Sequence, residues 1–87
     1  MQAYRIGKYI IAADIIDDAK NMFINEINAA LPNEIEEVGF DENVECDDGR
    51  IITIKEFINE ELDKRQAWQR LGIPCETYRP FVIKVLD

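Results

Sequence analysis

The side chains able to act as nucleophiles near neutral pH are Cys46, Cys75, Thr53 and Thr77. The chain contains no histidine and no serine to complete a relay with them. Ser–His and Cys–His mechanisms are therefore excluded. Two cysteines without histidine also cannot fill the four positions of a zinc site. Carboxylates are the abundant alternative, but acid–base work needs two whose surroundings push their pKa values apart, and adjacent acids on an open turn are not shielded enough for that. Asp41–Ile52 has the length and acidity of an EF-hand loop. It fails at position six, where Cys46 replaces the required Gly, and at position twelve, where Ile52 replaces the bidentate Glu. No catalytic residue, metal ligand or cofactor is expected, and the chain reads as a non-enzyme.

What remains is charge. From Asn21 to Gly49 there is no Lys or Arg, while nine carboxylates occur: Glu26, Glu34, Glu36, Glu37, Asp41, Glu42, Glu45, Asp47 and Asp48. The flanking segments nearly balance, so the net charge of −8 belongs to one third of the chain. The acids from Glu34 to Asp48 are the candidate partner-binding residues, and a protein with a basic surface is the partner they would suit. Direct binding to nucleic acid or to an anionic membrane is disfavoured by the same charge. Literal DNA mimicry is weak on spacing. Glu37, Asp41 and Glu45 on one strand face would give one charge per roughly 13 Å, against one per about 1.7 Å of duplex axis. The plain alternative is a solvated strand edge kept soluble by its acids.

A second candidate interface lies later. Glu61 and Arg65 stand four residues apart, acid first, inside the apolar arc of a helix with Trp68 nearby. Arg65 and Trp68 are residue types that dominate interfaces. The competing interpretation is a partly covered ion pair whose Arg stem lies over apolar neighbours. Lys64, Arg65, Arg70 and Arg79 form a basic pole at this end, which allows head-to-tail or two-fold self-association.

The elements that position these residues are organised around Thr53–Gly72. Thr53 and Glu56 form a capping box, Gly72 tolerates the left-handed conformation that stops a helix, and Pro74 prevents a restart. Ala3–Ala13 reads as one strand interrupted at Gly7. A helix over Ile15–Ala30 follows, capped by Asp14. Glu37–Cys46 alternates as a half-buried strand with a bulge or turn near Asp41–Asn43. Asp47-Asp48-Gly49 is a turn signal, Arg50–Thr53 a short return strand, and Tyr78–Leu86 a last strand.

The 87 residues suffice for one domain, 1–87, with a small core. The order predicts an α+β fold of ferredoxin-like β-α-β-β-α-β type: a four-stranded antiparallel sheet with two helices on one face. No apolar run is long enough to span a bilayer, and the two cysteines suit free thiols, so a cytoplasmic location is expected. The leading expectation is a protein-interaction domain, an inhibitor or adaptor that places its acids on a basic, nucleic-acid-binding site of a partner. Phage-encoded inhibitors share this size and charge, an analogy of composition only. The competing expectation is a homodimeric α+β domain of structural or regulatory role.

Overall fold

A computed structural model describes residues 1–27 and 30–86. The element order is β1 (Gln2–Ile6), β2 (Tyr9–Ala13), α1 (Ile16–Met22), β3 (Ile35–Val38), β4 (Asn43–Glu45), β5 (Ile51–Thr53), α2 (Ile54–Arg70) and β6 (Phe81–Val85). A π-helical turn, Phe23–Ile27, continues α1. The fold is α+β, with a four-stranded antiparallel sheet in the order β3-β1-β2-β6 and a separate hairpin of β4 and β5.

This order differs from the ferredoxin-like expectation. The cause is the first strand: Ala3–Ala13 is a hairpin, not one strand. Gly7 takes φ +60° in the two-residue turn Gly7-Lys8, which sets Ile6 against Tyr9. With β1 and β2 already paired, β3 and β6 occupy the two edges.

The register also divides the sheet's two faces. Ala3, Ile10, Ala12, Val38, Phe81 and Ile83 pack with Ile54 and Ile58 of α2 and with Val44 of the hairpin. Tyr4, Ile6, Ile11 and Ala13 pack with Ala19 and Phe23 of α1 and its extension. The helices therefore cover opposite faces, where the sequence pattern had placed both on one. Burial on both sides is why β2 reads as the unbroken run Y-I-I-A-A, as fully covered strands do.

Helix α2 follows its sequence signals. The Thr53 hydroxyl accepts the Glu56 amide at 3.2 Å and donates to the Glu56 carboxylate at 3.0 Å. At the other end Gly72 adopts φ +81°, its amide donates to Gln69, and the Ile73 amide donates to Trp68. Those two bonds are the Schellman pattern. The first free amides of α2 are also used: Ile54 donates to the Glu42 carbonyl and Lys55 to the Phe40 carbonyl. The turn at Gly39–Glu42 thus docks on the helix N-terminus.

Helix α1 departs from expectation at its start. Its N-cap is Ile15, with extended backbone and no side-chain cap, while Asp14 lies one residue early and its carboxylate stands 3.9 Å from the Met1 ammonium. The expected helix to Ala30 is α-helical to Met22 and π-helical to Ile27; Asn28 and Ala29 lie outside the described residues. The two proposed turns of the acidic segment both exist. Residues 39–42 separate β3 from β4, and residues 46–50 close the β4–β5 hairpin, where the Cys46 amide donates to the Arg50 carbonyl and the Cys46 carbonyl accepts from the Gly49 amide. The last strand begins at Phe81, after Pro80 rather than before it.

Candidate functional site

The acidic residues divide by element. Glu34 precedes β3; Glu36 and Glu37 lie within it and are exposed. Successive strand residues point to opposite faces. Glu36 therefore shares a face with its β1 partner Arg5, on the α2 side, and Glu37 shares a face with Tyr4, on the α1 side. Burial first, and then the Glu37 carboxylate, push the Tyr4 phenol above its usual pKa. Asp41 and Glu42 occupy the turn after β3, exposed. Glu45 is in β4, and its carbonyl accepts from Lys84 Nζ at 3.2 Å. Asp47 is exposed in the hairpin turn.

The expected single face of Glu37, Asp41 and Glu45 is therefore not formed. The period-two pattern runs through a turn, so Glu37 belongs to the four-stranded sheet and Glu45 to the hairpin. The acids run from the β3 edge through the turn beyond it to the hairpin, whose Glu45 lies beside Lys84 of the opposite edge, rather than along one flat strand face.

Asp48 stands apart from the group. Arg50 donates to it from the backbone at 3.1 Å and from Nε at 2.7 Å, and the same guanidinium reaches Glu60 at 3.2 Å. The backbone amide and then the guanidinium of Arg50 hold the Asp48 carboxyl below the usual carboxylate range. Glu26 is likewise matched, by Arg79 at 2.7 Å. Among the described residues, Glu34, Glu36, Glu37, Asp41, Glu42, Glu45 and Asp47 form no ion pair.

The second candidate interface resolves into two different environments. Arg65 is 9% exposed and is used inside the molecule. Its Nη1 donates to the carbonyls of Thr77 at 3.1 Å and Arg79 at 2.6 Å, and more weakly to Glu76 at 3.4 Å; its Nε donates to Glu61 at 3.3 Å. Its guanidinium stacks 4.6 Å from the Phe81 ring centroid. Arg65 thus staples the segment before β6 onto α2. The i, i+4 spacing identified the Glu61 pair, but no local signal revealed the three carbonyl acceptors. Trp68 is 39% exposed, with Lys64 Nζ 5.1 Å from its ring centroid. Leu71 at 77% and Ile73 at 47% exposure continue its surface.

Two further features were not foreseen. A cleft of about 600 Å³ opens between α1 with its π turn and the segment before β6, bordered by Asn21, Met22, Asn25, Tyr78 and the Glu26–Arg79 pair. A smaller one of about 370 Å³ lies between the β4–β5 turn and α2, beside Cys46 and the Arg50 pairs. Cys46 and Cys75 are free, partly buried thiols. Among the described residues no three Cys, Asp or Glu side chains are grouped to hold a metal ion, and no helix is long and apolar enough to cross a membrane. No family model, curated protein or solved structure matches this chain.

Proposed function

We propose that this chain is a cytoplasmic, non-enzymatic protein-binding domain, an inhibitor or adaptor, that sets the carboxylates of Glu34–Asp47 against a basic surface of a partner. A nucleic-acid-binding site is the kind of surface that fits. The observation that carries the proposal is the run of exposed acids with no Lys or Arg among them in the chain. The seven acids from Glu34 to Asp47 form no ion pair among the described residues, and no Lys or Arg lies between Asn21 and Gly49. Unmatched exposed charge supplies steering and specificity more than raw affinity.

The test is a variant carrying Glu34→Gln, Glu37→Gln, Asp41→Asn, Glu42→Gln, Glu45→Gln and Asp47→Asn, with the Asp48–Arg50 pair left intact. The tagged protein is expected to retain a basic partner from nuclease-treated extract at low salt and to release it near 1 M, where the screening length is about 3 Å. The variant is expected to keep its fold by circular dichroism and to retain nothing. If it holds the same partner at the same salt, the acids serve only solubility.

A second reading, self-association, is favoured by one observation: Trp68, Leu71 and Ile73 form a neighbouring exposed apolar group at the end of α2. It predicts a mass in sedimentation that rises with protein concentration and falls back to the monomer in Leu71→Asp. A mass that stays monomeric at every concentration removes it.

A further inference from the structure

The outer edge of β3 is regular and unpaired among the described residues. Ile6 and Tyr9 flank a two-residue turn and therefore bond to each other. Bonding direction alternates along a strand, so Arg5 and Ala3 direct their amides and carbonyls to β3, where they meet Glu36 and Val38. The amides and carbonyls of Ile35 and Glu37 consequently point away from the sheet. Among the described residues no backbone group bonds to them. The opposite edge is less regular: β6 shifts register between Ile10 and Ile11 of its partner, and Lys84 ties it to Glu45 of the hairpin.

The side chains along the open edge specify what can pair there. Cross-strand neighbours share a face, so a strand added to β3 sets one residue opposite Glu36 on the α2 side and the next opposite Glu37 on the α1 side. A second copy of this chain is a poor occupant. A two-fold antiparallel pairing that keeps the faces matched and is centred on either glutamate sets Glu36 against Glu36 or Glu37 against Glu37, and like charges directly opposite repel. The glutamates thus disfavour self-pairing and leave the edge to a strand of opposite charge.

We infer that the partner adds a β-strand to β3, through an extended segment with two consecutive basic residues flanked by β-branched ones: the cations meet Glu37 and Glu36, and the apolar residues lie beside Ile35 and Val38. This deepens the proposed acidic docking by naming its mode, and it rests on that reading.

The probes are two capped peptides of one composition, Thr-Val-Lys-Lys-Val-Thr and Thr-Lys-Val-Val-Lys-Thr. In no register does the second set lysines against both glutamates. Titrated into the whole protein at low salt by amide NMR, the first is expected to bind roughly tenfold tighter or more and to slow exchange of the Ile35 and Glu37 amides. Glu37→Pro removes an outward amide that β1 does not use, and Glu37→Gln removes the same charge while keeping that amide. The Pro variant is expected to bind the first peptide at least about tenfold more weakly than the Gln variant. Equal binding of the two peptides overturns strand addition, and so does equal binding by the two variants. In either case the acidic docking itself survives if Glu37→Gln weakens binding relative to the unaltered protein. Binding of neither peptide overturns strand addition and counts against the docking as well. If Glu37→Pro does not fold, the peptide pair with the unaltered protein decides the matter alone.

Discussion

Replacing Arg65 with Met is expected to lower folding stability by about 3 kcal/mol, although the side chain lies far from the acidic edge. Hydrogen bonds to a charged donor contribute about 1.5–3 kcal/mol each and do not add fully, and a buried acceptor left without a donor costs a further share. Arg65 serves the carbonyls of Thr77 and Arg79, the weaker acceptor at Glu76, and the Glu61 carboxylate. Met restores much of the stem's apolar contact but donates nothing. In a domain of this size the loss corresponds to a fall in Tm of roughly 15 °C. Arg65→Lys is expected to recover only part, because an ammonium lacks the planar fork that serves several acceptors and stacks on Phe81. Urea unfolding of the three proteins checks this. A loss below about 1 kcal/mol for Arg65→Met would mean that the carbonyls are served equally well by water.

The second large effect is expected from Ile11→Ala. Ile11 is fully buried in β2, a central strand, within the cluster formed by Tyr4, Ile6, Ala13, Ala19 and Phe23. Truncating a buried Ile typically costs about 2–5 kcal/mol, from lost transfer energy and from the cavity left behind. A site enclosed by a helix above and paired strands on both sides has little freedom to collapse, so a value near 4 kcal/mol is expected. Total stabilities are commonly about 5–15 kcal/mol, so this one change removes a large fraction. Ile51→Ala is the contrast. Ile51 is 70% exposed, and a change within about 0.5 kcal/mol is expected from the same unfolding curves. Similar losses at both positions would show that the two-faced core described above is wrong.

Local signals were legible where the physics is local. Thr53, Glu56 and Gly72 define α2 because a cap and a stop act within one turn of chain. The stop and the Thr53 half of the cap form as expected, while the Glu56 carboxylate accepts from the Thr53 hydroxyl rather than from its amide. The turn around Asp47–Gly49 was readable for the same reason. Ala3–Ala13 misled because its apolar residues run without alternation. The pattern says that a strand is covered on both faces, but not that Gly7 folds it back on itself. Once that hairpin exists, the strand order changes and the helices take opposite sides. For the candidate site, the acid-rich segment was evident from composition alone. Glu42, an acid on the apolar side of the alternation, marks the break near Asp41–Asn43, but does not reveal that the turn parts Glu37 and Glu45 into two different sheets. Arg65 shows the same limit: its Glu61 partner is four residues away, but its carbonyl acceptors are 11, 12 and 14 residues away.

The position of β6 has a kinetic consequence. β1 and β2 are joined by two residues, so their pairing closes a very small loop and can form within microseconds. β6 pairs with β2 from the far side of the chain, Tyr9 meeting Val85 and Ala12 meeting Phe81. Until that long loop closes, β2 is itself an edge, and its run of Ile10 and Ile11 is available to any neighbouring molecule. Loop-closure entropy is spent before the pairing is gained, which slows this step relative to the first hairpin. The aggregation hazard of this protein therefore lies in β2, which the native state covers, during the interval before β6 arrives. The acids lie outside β2 and do not guard that strand while it waits.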